Sequence, residues 1–298
     1  MNQRPRRVQL RRSTGSNVRA EPGKALVFGE ALLDLFPERR VIGGAPLNVA
    51  VHLRRLGWQV ALLTRLGRDD NGQRIEAFLQ AEGVDLSLVE KDEDHPTGTV
   101  SISLSDDGSH SFHIHTDVAW DYIEGPARLP PADLFYWGTL AARSETGRRT
   151  LKRLLAEVSA QSMVFDVNLR QHYFNPSGIR SGLAAATIVK MNEEEKEVIC
   201  QLLGLDPHPV AFFSPGNNLQ WVCITRGAEG AELWSRNGEW FSVQAPQVEA
   251  VDTVGAGDAF CAGLIHGLAT GQEPTMALER ANHLTSKVLT TRGAIPSR

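Results

Sequence analysis

From residue 24 onward, short apolar runs alternate with amphipathic stretches, and this alternation confines the chain to repeated βα units on a largely parallel sheet. Residues 25–28 read as the first strand, and residues 46–56 as a helix with Pro46 in its first turn and Gly57 as its C-terminal cap. A strand over 60–64 and a helix over 72–82, closed by Gly83, continue the rhythm. Residues 97–104 and 109–115 alternate in polarity around Asp106-Asp107-Gly108, which predicts a β-hairpin. Strands are expected again at 163–167, 187–189 and 221–225, with a second hairpin over 231–243 around Asn237-Gly238 and a last helix over 275–289. With 298 residues, 42% of them apolar, the chain can bury a large core, and one α/β domain over residues 24–298 is expected.

Charge divides the chain unevenly. Residues 1–24 hold seven Lys/Arg against one acid, Glu21, leaving 24 basic and 34 acidic groups in the remainder. Residues 1–23 therefore read as a disordered basic tail, with contact to nucleic acid or an organelle address as alternatives. The acidic body argues against nucleic acid as the main partner. No apolar run is long enough to span a bilayer, and no apolar stretch follows the basic start as a secretory signal requires. A cytoplasmic protein without a membrane partner is expected. Cys200, Cys223 and Cys261 are odd in number and widely spaced, which fits reduced buried thiols rather than disulfides or a zinc site.

Residues 252–260, D-T-V-G-A-G-D-A-F, carry the most chemistry. After Asp258, the apolar residues Phe260, Leu264, Ile265 and Leu268 fall at helical spacing, so Gly255, Ala256 and Gly257 form the first turn of a helix or the loop before it. Unpaired N–H groups and the positive helix end can then approach an anion closely, with the Asp258 carboxylate beside it. The plainer reading is a Gly-rich connection before a buried helix. Polar residues also follow the predicted strands: Asn168 and Arg170, Asn192 and Glu195, Thr225 and Gly227. In open α/β sheets ligands bind beyond those carboxyl ends. Neither the P-loop pattern nor a complete G-x-G-x-x-G is present, since Phe260 stands where the third glycine belongs.

The 252–260 stretch resembles the C-terminal signature of the ribokinase/PfkB carbohydrate kinases. Residues 43–50, G-G-A-P-L-N-V-A, followed by Leu56-Gly57, resemble that family's N-terminal sugar-binding motif in its fructokinase form, and the similarity continues from about Lys24 to the C-terminus. The resemblance implies a three-layer αβα fold with a small β lid drawn from about 32–42 and 97–117, and lids that pair in a homodimer as an open option. It implies transfer of the γ-phosphate of ATP to a sugar hydroxyl, fructose first, with Gly255, Ala256 and Gly257 as anion hole and Asp258 as base. Asp34, Gly43, Gly44, Asn48 and Arg170 match sugar-contacting positions. Lys190, Asn192, Thr225, Gly227, Gly230 and Asn282 match nucleotide-side positions, and Glu195 a position that holds magnesium through water. Asp252, Val254, Gly293 and Ser297 match positions around a monovalent cation such as potassium. Another sugar, 2-keto-3-deoxygluconate or a nucleoside stays open as acceptor, as does a homologue that binds sugar without turnover. Residues 112–120 lack the aromatic-x-Arg pattern common in fructokinases and ketodeoxygluconate kinases, and Tyr173-Phe174 stand where relatives often have Trp.

Overall fold

The computed structural model describes residues 21–104 and 110–297; the expected tail up to residue 20 and the hairpin turn at 106–108 lie outside the described residues. In chain order the strands are β1 (Lys24–Phe28), β2 (Leu32–Leu35), β3 (Arg40–Gly43), β4 (Gln59–Gly67), β5 (Val89–Asp92), β6 (Thr99–Leu104), β7 (His110–Ile114), β8 (Leu134–Trp137), β9 (Ser162–Asp166), β10 (Ile188–Asn192), β11 (Trp221–Thr225), β12 (Ala231–Ser235) and β13 (Trp240–Val243). The helices are α1 (Ala45–Arg55), α2 (Asp70–Glu82), α3 (Glu145–Glu157), α4 (Pro176–Ala185), α5 (Glu193–Leu203), α6 (Ala256–Ala269) and α7 (Pro274–Leu289).

A nine-stranded sheet runs in the order β13-β12-β11-β10-β9-β8-β1-β4-β5. It is parallel from β5 to β11, and the β12–β13 hairpin adds two antiparallel strands at one edge. Strands buried on both faces read as unbroken apolar runs because each neighbouring side chain meets a different helix layer. Thus Val27, Leu62, Val164 and Ile188 pack with Leu47, Val51, Cys261 and Ile265 of α1 and α6 on one face. Phe28, Phe135, Phe165 and Val189 pack with Leu154, Ile179, Leu183 and Ile199 of α3, α4 and α5 on the other. Three layers result. A second sheet, β3-β2-β6-β7, leaves the end of β1 and returns before β8.

The helices differ in how their first turns are satisfied. Asp69, Ser144, Asn175 and Asn192 cap α2, α3, α4 and α5, each side chain accepting an amide hydrogen bond from the third residue on. Helices α1 and α6 instead begin at Gly44 and Gly255 with no side-chain cap; at α6 the Ala256 amide donates to the Thr253 carbonyl at 3.2 Å, and no side chain caps the remaining leading amides. Helix α6 is seated against α7 by small residues: a side chain at Gly263 would start 2.7 Å from the Ala281 Cα, and one at Gly267 2.6 Å from the Ala277 Cβ.

Among the described residues no helix is long and apolar enough to cross a membrane. All three cysteines are free and buried.

Candidate active site

The N-terminus of α6 lies over the carboxyl ends of the central strands. Gly255 has φ 77°, and a side chain there would overlap Ala294, so only glycine fits this entry to the helix. Gly257 is held differently. A side chain at Gly257 would meet only the Lys190 Nζ, 3.6 Å away, so its absence leaves the first turn open toward that ammonium group. Asp258 follows, half-buried, and Asn48 Nδ2 of α1 donates to its Oδ2 at 2.8 Å. Burial raises the Asp258 pKa above the ordinary carboxylate value, and the Asn48 hydrogen bond opposes that rise. The Asn48 Oδ1 is buried without a partner.

On the β2–β3 side, a side chain at Gly43 would begin 2.7 Å from the Asp34 Oδ2, and one at Gly44, φ 106°, would begin 2.6 Å from the Glu30 carbonyl oxygen. The two glycines therefore let backbone close directly on two carboxyl-bearing residues. Burial pushes the Glu30 carboxyl up to about 7 and that of Asp34 up to about 6, against the attraction of Arg170. Arg170, itself exposed, also acts on Asp258, so one guanidinium faces three carboxyl groups. Arg143 approaches from beyond β8. It forms a two-pronged pair with Asp121 at 2.7 and 2.8 Å, donates to the His115 carbonyl at 2.6 Å and lies 3.8 Å above the Trp120 ring.

On the far side of α6, Asn192, Glu193, Glu194, Thr225, Arg226, Gly227 and Glu229 line an open cavity of about 690 Å³. A side chain at Gly227 would meet nothing, whereas Gly230, φ 97°, lies too close to the Val243 carbonyl to carry one. Asn192 accepts the Glu195 amide at 2.7 Å and Glu195 accepts the Asn192 amide at 2.8 Å, a reciprocal capping box. The other Glu195 oxygen accepts the Leu169 amide at 2.8 Å. Each oxygen keeps a further lone pair, so the group fits a water-mediated role toward a hard cation better than direct ligation. Lys190 is paired with Asp166 at 3.0 Å. Gly230 and Asn282 lie outside this cavity, and Asn282 donates to the Gln244 carbonyl. Asp252 accepts the amides of Val254 and Gly293, each at 3.0 Å, which gathers three of the four residues matched to a cation; Ser297 is exposed.

Four residues at this site fall outside the motifs. Glu30 is signalled only as an acid just past the first strand, and Asp166 only as an acid ending an apolar one. Tyr136 belongs to a strand too short for periodicity to reveal, and Arg143 gains its place through contacts made across the fold.

Comparison with known proteins places the chain among similar sequences and folds. The aminoimidazole riboside kinase of Salmonella typhimurium is 31% identical over 294 residues, covering 91% of each chain. A fructokinase of Escherichia coli is 30% identical over 293 residues, covering 91% of this chain and 95% of the relative. The crystal structure of aminoimidazole riboside kinase from Salmonella enterica, with aminoimidazole riboside and an ATP analog, superimposes with a TM-score of 0.75 at 29% identity, covering 91% of this chain and 95% of the other. Residues 29–298 match the profile of the pfkB family carbohydrate kinases, and the chain belongs to that family: it is a sugar kinase with the ribokinase-like fold.

Proposed function

We propose that this kinase transfers the γ-phosphate of ATP to a hydroxyl of a sugar, with fructose preferred. The observation that carries the reading is the 2.8 Å hydrogen bond from Asn48 to Asp258, which unites the two motifs at one point under an uncapped helix end. The turn Gly255, Ala256 and Gly257 forms the anion hole for the transferring group, with the Gly255 and Gly257 amides as its donors while the Ala256 amide holds the turn by donating to the Thr253 carbonyl. Asp258 takes the hydroxyl proton as the new O–P bond forms and the bond to the bridging oxygen breaks, ADP leaving with the electron pair. Asp34, Gly43, Gly44, Asn48 and Arg170 hold the sugar. The unpartnered Asn48 Oδ1 supports this, since it needs a donor such as a hydroxyl hydrogen.

Asn192, Thr225 and Gly227 take the phosphates and ribose of ATP in the 690 Å³ cavity, with Lys190 below the phosphate and Gly230 and Asn282 toward the base. Glu195 would hold magnesium through water, and the ion would supply positive charge to the phosphate oxygens. Asp252, Val254, Gly293 and Ser297 would hold a monovalent cation, which would supply positive charge beside the approach to α6. The sheet β3-β2-β6-β7 acts as the lid, a role supported by Asp34 standing on β2.

A nucleoside acceptor is the second reading, favoured by the aminoimidazole riboside kinase relative at 31% identity. A coupled ADP-release assay with fructose, ribose, 2-keto-3-deoxygluconate, adenosine and aminoimidazole riboside separates them. Fructose should lead in kcat/KM by about 10-fold to 100-fold, the worth of one matched buried hydrogen bond. A riboside in first place would reject the fructose assignment, and no turnover with any of them would leave a sugar-binding protein.

A further inference from the structure

Beneath α6, three polar residues stand on adjacent strands of the sheet: Tyr136 on β8, Asp166 on β9 and Lys190 on β10, with Asp166 and Lys190 directly paired in the parallel register. Asp166 is fully buried and Lys190 is 7% exposed. Lys190 Nζ donates to Asp166 Oδ1 at 3.0 Å, and the Tyr136 hydroxyl donates to Asp166 Oδ2 at 3.1 Å, so both carboxylate oxygens are occupied. Around the row stand apolar residues and thiols, among them Val164, Ile188, Cys223 and Cys261, with Asp258, Glu195 and Glu30 as the other charged groups acting on it.

Stability does not explain such a row. Desolvating a carboxylate and an ammonium costs several kcal/mol each, and well-packed apolar residues often replace a buried pair without loss. The ammonium's other neighbour explains it better. Lys190 Nζ sits 3.6 Å from the point where a Gly257 side chain would begin, directly against the uncapped first turn of α6. Burial would drive the lysine toward neutrality; the Asp166 carboxylate more than offsets this and keeps it charged.

We infer that Asp166, steadied by Tyr136, is a positioning residue that fixes the charged Lys190 as the floor of the anion hole. Lys190 then acts on the charge that builds up during transfer rather than on the binding of ATP. The inference rests on the anion-hole reading above. Its geometry is tuned to a group entering between Gly257 and the sheet, because glycine alone leaves that side of the turn open.

The test is the charge-neutral double variant Lys190→Met/Asp166→Asn, which removes both ions and strands neither. It should fold with little change in melting temperature and keep both KM values within about threefold, while kcat falls by about 100-fold or more, the scale of losing a donor to developing charge. Lys190→Arg should retain more kcat than Lys190→Met. Tyr136→Phe, which buries no new charge, should lower kcat about threefold to tenfold with KM for ATP unchanged, and it decides the matter if the double variant does not fold. A stable double variant with more than a third of wild-type kcat would make the row a structural staple and overturn the inference. A matching rise in KM for ATP would also overturn it, by moving Lys190 to ground-state binding. Wild-type protein that binds sugar without turnover would sink this inference and the proposed function together, whereas the variant outcomes sink the inference alone.

Discussion

In the proposed mechanism Asp258 acts as a base from a half-buried position, and the groups around it set the pH at which it can do so. Burial raises its pKa, so activity should fall on the acid side at a higher pH than an ordinary carboxylate would give. Asp258→Asn should reduce kcat by about 10²- to 10⁴-fold with little change in either KM, measured by steady-state kinetics on the folded variant. Retention of a third of the rate would remove Asp258 from the chemistry. Glu30 makes a different prediction. Its folded pKa of about 7 lies above the ordinary 4.5, so the protonated group is fully tolerated below 4.5 and its advantage is lost as pH rises through 7. Above that, the protein holds a buried charge that the backbone hydrogen bond, Arg170 and Arg143 offset only in part, at a cost of about 3 kcal/mol. Glu30→Gln should therefore raise the melting temperature at pH 8 and leave it unchanged at pH 4.5; an equal effect at both would show that the carboxyl does not titrate this way.

The first turn of α6 separates the roles of two glycines. Gly255→Ala introduces a methyl that overlaps Ala294 at a left-handed φ of 77°, so it should lower stability, seen as a fall in melting temperature. Gly257→Ala meets only the Lys190 ammonium at ordinary contact distance, so the fold should survive while kcat drops at least tenfold as the methyl enters the proposed anion hole. Reversed results would mean that the anion lies elsewhere. At this scale the sequence was informative where spacing and punctuation coincide. Pro46 and Gly57 bracket a helix observed over Ala45–Arg55, and Phe260, Leu264, Ile265 and Leu268 mark one observed over Ala256–Ala269. It was silent at β8, whose four residues are all buried and show no alternation, and at α4, which carries Gly178 and Gly182. Helix α3 holds Leu151, Leu154 and Leu155 at helical spacing and was within reach of the same argument. The motif residues could be named because their order and spacing resemble a family pattern. Glu30, Tyr136, Asp166 and Arg143 matter through neighbours that only the folded sheet supplies, and no local pattern carries that information.

Across the whole molecule, the two sheets are joined by more than chain connection. Arg143 links the carbonyl of His115, just past β7, to Asp121 and the Trp120 ring, while Gln171 and Tyr173 reach the β7 carbonyls of Phe112 and Ile114. Arg143→Lys loses the two-pronged geometry and leaves Asp121 underpaired inside the protein. Breaking a buried pair costs about 3–5 kcal/mol, and a domain of this size loses about 2–4 °C per kcal/mol, so a fall of roughly 6 °C or more is expected by calorimetry. KM for the sugar should rise more than KM for ATP, because the damage lies on the acceptor side; equal rises would place the effect in the fold at large. The bond between Asn48 and Asp258 spans 210 residues, and that separation governs when the enzyme comes into being. A ribosome delivers the sugar-side motif early and the helix with its carboxylate late. A nascent chain can have most of its sheet assembled and still lack Asp258, the proposed proton acceptor, so on that reading an unfinished or prematurely ended polypeptide is unable to consume ATP in this way.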